Sequence, residues 1–140
     1  MIVVDASLAV KWYIRESLSL ESLALFLEHE GDITVPDIFV AEVMGALVRR
    51  ANIDKTLRPE SEISLRRFAA TFDEQAMEAQ RPDAVNMSHA ANLALDLGHP
   101  LKDCIYLALA MELGCDLVTC DARFAAKAKG VWAGVRVLGE

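Results

Sequence analysis

The stretch LVTCDARF, residues 117 to 124, places an aspartate directly after residues suited to a buried strand, and a helical pattern begins at once after it. The chain opens in the same way, because MIVVDASLAV, residues 1 to 10, runs through three apolar residues into Asp5 and then turns helical. A short and wholly apolar run is typical of a strand in a parallel sheet, which is covered on both faces. Two aspartates in equivalent positions, Asp5 and Asp121, call for a common explanation.

The rest of the chain continues this alternation of short strands and helical patterns. The predicted strands are residues 2–4, 33–35, 117–120 and 135–138. Strands that alternate with helices imply an α/β fold, with a parallel sheet covered on both faces. No repeat, low-complexity tract or linker divides residues 1–140, which predicts a single domain of ordinary size.

Two of the helical segments bear on the core. Residues 103–113 are apolar on nearly every side, which predicts a central and buried helix. Residues 17–30 carry apolar side chains at helical spacing, and this spacing selects four core candidates. These are Leu20, Leu23, Phe26 and Leu27. The segment 72–81 is ambiguous and allows some extended structure.

Composition narrows the class of protein. Hydrophobic residues make up 54% of the chain, which argues against disorder, and no apolar run reaches the roughly 20 residues that a membrane-spanning helix needs. The first methionine leads straight into a strand, so we expect a cytoplasmic protein without a cleaved leader. The formal charge of −7 argues against binding nucleic acid by bulk electrostatics. It allows an enzyme that holds phosphates through metal ions, or a basic protein partner.

Cysteines and histidines give little support for a zinc site. Cys104, Cys115 and Cys120 show no CxxC spacing and no matching pair of histidines. We interpret them as small apolar residues that stay reduced. The three histidines are scattered, and the sequence gives none of them a chemical role. They are His29, His89 and His99.

Several acidic residues have an ordinary structural explanation. Asp5, Asp103 and Asp121 each stand at or near a predicted helix start, where a carboxylate accepts free backbone N–H groups. Ser7 and Thr119 have equally local explanations, in a helix start and in strand propensity. However, ligand sites of parallel sheets lie beyond the carboxyl ends of the strands. Asp5 and Asp121 both occupy that position, so the fold should bring them to one edge.

The choice between Asp116 and Asp121 follows from strand length. Both residues flank the strand at 117–120, and five extended steps separate their Cα atoms by roughly 16 Å. Residues this far apart do not share one metal ion, whose ligand oxygens lie about 2.1 to 2.6 Å away. Asp121 follows its strand as Asp5 does, so Asp121 belongs with Asp5 and Asp116 is predicted at the opposite edge.

Glu42 has no capping explanation, because it lies well inside the helical segment IFVAEVMGAL. An isolated ionised carboxylate is costly to bury, so Glu42 should be exposed, paired or bound to a cation. Gly45, one turn further on, costs about 1 kcal/mol relative to alanine in a helix interior. This cost suggests that another group packs closely against the same face. The plain alternative is a solvent-facing glutamate on an amphipathic helix.

Convergence of these acids would define a chemistry. Carboxylates within a few ångströms of one another repel unless they are protonated or bridged by cations. Oxygen ligands without paired cysteines or histidines favour Mg²⁺ or Mn²⁺. Such ions activate water, neutralise phosphate oxygens and stabilise a leaving oxygen, so the cluster would cleave phosphodiester bonds without a protein nucleophile.

Four segments, in this order and spacing, resemble a PIN domain along essentially the whole chain. They are IVVDAS at the start, VAEVMGAL with Glu42, KDCIYLALAMELG with Asp103, and DLVTCDARF with Asp121. Among PIN proteins the chain is most similar to the VapC-type toxin ribonucleases of bacterial toxin–antitoxin pairs. The resemblance implies a three-layer α/β/α sandwich and a Mg²⁺- or Mn²⁺-dependent endoribonuclease site. It also implies a homodimer and a small antitoxin protein that covers the site.

The resemblance also assigns residues. Asp5, Glu42, Asp103 and Asp121 match the acidic quartet of the family, which is both the catalytic and the metal-binding set. Ser7 and Thr119 match hydroxyl positions that support the quartet. The chain departs from the common pattern at Cys104, where many members have alanine, and at Cys120, between Thr119 and Asp121. Neither departure removes an acid.

Two other classes of protein share part of this pattern. A phosphoacceptor signalling domain usually has adjacent acids after its first strand, whereas Asp5 is followed by Ala6 and Ser7. The same residues lack the D-x-D of a haloacid-dehalogenase-type phosphatase. A catalytically inactive PIN-like interaction module would share the fold, and the intact quartet argues against it. The identity of the RNA, the number of ions and the arginines that hold phosphate stay open at this point.

Overall fold

The computed structural model describes all residues from 1 to 140, in which five strands alternate with helices. The strands are β1 (Ile2–Val4), β2 (Ile33–Pro36), β3 (Met77–Gln80), β4 (Asp116–Thr119) and β5 (Val135–Val137). The helices are α1 (Ala6–Val10), α2 (Ser19–Glu28), α3 (Ile38–Ile53), α4 (Arg58–Asp73), α5 (Ala84–Leu97), α6 (Leu101–Leu113) and α7 (Ala122–Ala128), with a 3₁₀ turn at Lys55–Leu57. None of the helices is both long enough and apolar enough to cross a membrane.

The five strands form one parallel sheet in the order β3-β2-β1-β4-β5. The chain moves outward from β1 to β2 and β3, crosses back to β4, and continues outward to β5. Because such crossovers are right-handed, the helices before β3 cover one face and those after it cover the other. This arrangement is the predicted three-layer α/β/α sandwich, and the prediction of fold class is confirmed.

The connections of the chain change direction between β1 and β4. These strands pair in register, with Val4 opposite Val118, and the Asp5 amide continues the ladder by donating to the Val118 carbonyl at 3.3 Å. The connection after β1 leads to one side of the sheet and the connection after β4 to the other. In open α/β sheets such a switch point leaves a crevice at the carboxyl ends of the two strands, where ligands bind.

Helix α6 lies in the centre of the molecule, as its sequence predicts. Its residues from Cys104 to Ala110 are all buried, and Tyr106 is among the largest fully buried side chains. On the other face of the sheet, Phe39 of α3 packs against Phe68 of α4, with ring centroids 5.8 Å apart. The core therefore holds the starts of α3 and α6 firmly beside the sheet.

The core face predicted for α2 is wrong at its three leucines and correct at Phe26. Leu20, Leu23 and Leu27 are 82%, 41% and 62% exposed, whereas Phe26 packs partly buried against the core. Ser22 and Leu25 are the buried residues of the helix. The Ser22 hydroxyl donates to the Leu8 carbonyl at 2.8 Å, and the Ser22 carbonyl accepts from the Trp12 indole at 3.0 Å. These two bonds set the rotation of the helix, and leucine spacing gives no sign of them.

Candidate active site

Asp5 follows β1 and caps α1 from inside the crevice. Its Oδ1 accepts hydrogen bonds from the Leu8 amide at 3.0 Å and from the Ser7 hydroxyl at 2.8 Å. Its Oδ2 accepts a hydrogen bond from the Thr119 hydroxyl of β4. The predicted capping role is confirmed, and the second oxygen shows that the carboxylate also faces the neighbouring strand.

Thr119 joins the two strand ends that the sequence singled out. Its side chain is fully buried at the end of β4. The hydroxyl donates to Asp5 and accepts from the backbone amide of Asp121 at 3.0 Å. Thr119 therefore contributes more than strand propensity, because its hydroxyl bonds to both aspartates and fixes the distance between them.

Asp121 caps α7 at the same edge of the sheet. Its Oδ1 accepts from the Phe124 amide at 2.9 Å, and its Oδ2 accepts no hydrogen bond from the protein. Asp116 is the first residue of β4, opposite Ile2 in β1, and its carboxylate pairs with Arg136 at 3.2 Å. The structure thus places Asp116 at the amino edge and Asp121 at the carboxyl edge, as predicted.

Asp103 is not a helix cap, in contrast to the expectation from sequence. Helix α6 begins at Leu101 with Pro100 as its N-cap residue, so Asp103 lies inside the first turn. Its Oδ2 is 2.6 Å from Nε2 of His99, and the two side chains are 32% and 10% exposed. The helix starts earlier than predicted because proline is well tolerated where no backbone donor is needed.

Asp103 and Asp121 approach each other together with His99. Each of the three offers one ligand atom, and these atoms all lie within 4.8 Å of one another. Asp5 and Glu42 contribute no atom to this group, although the charge of Asp103 helps to raise the pKa of Asp5. Sequence reasoning missed His99. The spacing of His99 and Asp103 by four residues in HPLKD was the only available signal.

Glu42 is held from a different direction. Its Oε1 accepts the hydroxyl proton of Tyr106 at 2.7 Å, and its Oε2 lies 3.5 Å from the Lys102 ammonium. The side chain is only 18% exposed, so the alternative of a solvent-facing glutamate is wrong. Gly45 also differs from expectation. It is exposed, and a Cβ built on it would meet no atom within 4 Å.

Tyr106 was also missed by the sequence analysis. It is 1% exposed in the middle of α6, and its hydroxyl donates to Glu42 of the quartet. The pKa of the phenol is raised far above its usual range. Burial is the largest cause, followed by the Glu42 hydrogen bond and the charges of Glu42, Asp5 and Asp103. The hydroxyl therefore stays protonated and acts as a donor to Glu42 at every ordinary pH.

Comparison with known proteins identifies the family of the chain. The family model described as "PIN domain" matches residues 2–130. The chain belongs to the PIN domain family. PIN domains are in general nucleases, so the family places the chain among hydrolases that act on nucleic acid.

Two solved structures share the PIN fold with this chain. The crystal structure of PAE2754 from Pyrobaculum aerophilum aligns with a TM-score of 0.71 at 19% identity, covering 98% of this chain and 88% of that one. A toxin–antitoxin complex from Klebsiella pneumoniae aligns with a TM-score of 0.68 at 16% identity, covering 100% of this chain and 99% of that one. None of the curated proteins matches the sequence. Likeness at these identities establishes the fold.

The charges of the PIN site fit a divalent cation. Burial is the main cause that raises the pKa of Asp5, and it outweighs the hydrogen bonds from Thr119, Leu8 and Ser7 that oppose it. The only lysine or arginine that pairs with the quartet is Lys102, on Glu42. Asp5, Asp103 and Asp121 are thus left without a lysine or arginine, and only Asp103 contacts a basic group, the imidazole of His99. Neighbouring like charges favour a bound cation. Carboxylate oxygens are suitable ligands for a hard divalent cation.

The cysteines of this PIN domain stay outside the site chemistry. All three are free thiols, and Cys104 is fully buried next to Asp103. Burial is the main cause that raises the pKa of the Cys104 and Cys120 thiols to about 11. Both are therefore protonated near neutral pH, and a protonated thiol is a poor nucleophile and a poor metal ligand.

Proposed function

We propose that the chain is a Mg²⁺- or Mn²⁺-dependent endoribonuclease, the toxin of a toxin–antitoxin pair, and that Asp5, Glu42, Asp103 and Asp121 form its catalytic site. One observation carries the proposal: Asp103, Asp121 and His99 each bring one ligand atom within 4.8 Å of the others, and no lysine or arginine pairs with Asp5, Asp103 or Asp121. Family membership supports nuclease chemistry for such a cluster.

The residues of the site would have different roles in such a reaction. Asp103 and Asp121 would hold the cation, with Asp5 beside them, and the cation would supply an activated water and charge neutralisation for the phosphate. Ser7 and Thr119 orient Asp5 through their hydroxyls. Glu42, which keeps its second oxygen toward Lys102, would orient the attacking water.

A cluster of arginines supports a nucleic-acid substrate despite the charge of −7. Arg15, Arg50 and Arg67 line one surface cleft of about 250 Å³, formed by the end of α3, by α4 and by the segment after α1. Glu60 is the one acidic residue of the cleft, so its lining keeps a surplus of positive charge. For single strands, the logarithm of the binding constant falls with the logarithm of the salt concentration, and each lost phosphate contact makes this slope shallower by about 0.7. Arg50→Gln should therefore bind RNA more weakly and with a shallower salt slope, measured by fluorescence anisotropy.

Cleavage of RNA by the purified chain tests the activity directly. Labelled total RNA should be cut in the presence of Mn²⁺ or Mg²⁺ and left intact in excess EDTA. Full activity in EDTA would exclude a metal-dependent site. An inactive interaction module, the alternative function, would cut no RNA with any ion and would still bind its partner protein.

The proposed partner is a small and more basic antitoxin that covers the crevice. The charge of −7 supports a basic partner, and one solved structure with this fold is a toxin–antitoxin complex. Affinity purification of the tagged chain from its own host should yield a stoichiometric small protein, and recovery of the chain alone would count against it. The proposal includes a homodimer in the cytoplasm, which sedimentation and cell fractionation would check.

A further inference from the structure

His99 lies between two elements of the site and belongs to neither. It occupies the short link from α5 to α6, after Gly98 has ended α5 in the left-handed conformation with φ of 60°. Its ring stacks on Phe124 of α7, with centroids 4.5 Å apart and planes inclined by 29°. Only 10% of the side chain is exposed. The imidazole is therefore held in one orientation before any ligand arrives.

The contact between His99 and Asp103 has the geometry of a hydrogen bond. A carboxylate only accepts, so Nε2 of His99 carries the proton and donates it to Oδ2 of Asp103. The two atoms are 2.6 Å apart. Adjacent ligands of an octahedral ion with bonds near 2.1 Å lie about 3.0 Å from each other, which is clearly longer.

We propose that His99 is a positioning residue that orients the Asp103 carboxylate for the metal ion, a role that rests on the proposed function above. By occupying Oδ2, the imidazole leaves Oδ1 of Asp103 free to face the cation. A ligand held in one orientation loses less freedom on binding, so the affinity for the ion rises.

The same ring connects Asp103 to Asp121. Phe124 supports the imidazole with its side chain, and its backbone amide donates to Oδ1 of Asp121 at 2.9 Å. The link before α6 and helix α7 thus meet through one stacked pair of rings, with one carboxylate on each side. His99 and Phe124 therefore fix the orientation of the two carboxylates relative to each other, and an ion between Asp103 and Asp121 would bind to both.

Mn²⁺ affinity of full-length variants tests this role without any measurement of cleavage. His99→Phe keeps a ring beside Phe124 and removes the donor, whereas His99→Gln places an amide donor near the position of Nε2. Loss of an outer partner of a metal ligand costs about 10- to 100-fold in affinity, so His99→Phe should raise the Mn²⁺ Kd by this factor. His99→Gln should stay within about threefold of the parent chain, since the hydrogen bond is retained. His89→Gln, on the exposed side of α5, is the matched control.

Titration calorimetry with Mn²⁺, together with melting curves in EDTA, separates the outcomes. Parental Mn²⁺ affinity in His99→Phe would overturn the positioning role alone. Equal losses in His99→Phe and His99→Gln would overturn it in favour of a nitrogen ligand. A parent chain that binds no Mn²⁺ would overturn the proposed function and this role with it. If His99→Phe melts far below the parent in EDTA, His99→Met replaces it as the variant without a donor.

Discussion

The two sides of the crevice hold their carboxylates by different means. On the strand side, Asp5 and Asp121 accept backbone amides of the helices they cap, and Thr119 joins them across the β1/β4 pair. On the helix side, Glu42 and Asp103 accept no backbone amide and depend on the side chains of Tyr106 and His99. The strand side is therefore fixed by backbone register, and the helix side by contacts that one substitution removes.

This difference separates two kinds of experiment. A substitution on the strand side changes a residue that is both a cap and a ligand candidate, so stability and chemistry change together. On the helix side, the supporting residue is distinct from the acid it supports. Support and chemistry are therefore separable there, and the following changes test this distinction.

The largest effect is expected from the acids themselves. If the proposed function is correct, Asp103→Asn and Asp121→Asn should each reduce RNA cleavage by more than about a hundredfold, because each removes a charge from the proposed cation site. The circular dichroism spectrum should stay native for both. Cleavage rates on a defined RNA measure the loss.

Asp116→Asn is the matched control for Asp121→Asn, because it changes the acid at the other end of the same strand. It removes only a surface pair with Arg136, and such pairs contribute little. Cleavage and metal binding should be unchanged. The reverse pattern, with Asp116 essential and Asp121 dispensable, would mean that the site lies at the amino edge of the sheet.

The metal should stabilise the native chain. A ligand that binds only the folded state contributes RT ln(1 + [L]/Kd), about 2.7 kcal/mol at a hundredfold excess over Kd. Melting curves of the parent should therefore shift upward with Mn²⁺. Glu42→Gln should shift much less if the helix side shares the ion, and an equal shift would remove Glu42 from the site.

Loss of the phenol hydroxyl tests the support of Glu42. Tyr106→Phe should lower the free energy of unfolding by about 1.5 to 3 kcal/mol, the range for hydrogen bonds to charged groups. Urea denaturation in EDTA measures it. Tyr13→Phe, which removes a hydrogen bond between two hydroxyls at 2.6 Å, should cost less and leave cleavage intact. Equal effects of the two substitutions would make Tyr106 an ordinary core tyrosine.

The smallest effect concerns pH and the strand side. Burial raises the pKa of folded Asp5 above 3.8, so the folded state binds more protons than the unfolded state above that pH. The stability that Asp5 contributes is full below pH 3.8 and falls as pH rises through its folded pKa. In EDTA, the parent should thus lose stability relative to Asp5→Asn as pH rises above about 4. A parent that gains stability relative to Asp5→Asn would show that hydrogen bonds, and not burial, dominate at Asp5.

The sequence predicted the strand side of the crevice better than the helix side. Strand ends, caps and the buried α6 depend on neighbours in the chain, so Asp5 and Asp121 were assigned to one edge and Asp116 to the other. Tyr106 and Glu42 are 64 positions apart, and only the packing of α6 beside α3 joins them. His99 was missed because its support, Phe124, lies on a different helix. The orientation of α2 failed for a related reason, since two hydrogen bonds to the segment after β1 outweigh its leucine pattern.

Gly45 is a position where a substitution can stabilise the chain. It lies one turn beyond Glu42 in α3, and no atom lies within 4 Å of the position where a Cβ would stand. Alanine fits there and is about 1 kcal/mol more favourable than glycine in a helix interior. Gly45→Ala should therefore add stability. A variant with this substitution could tolerate a destabilising change elsewhere, such as one that alters specificity at the rim of the crevice.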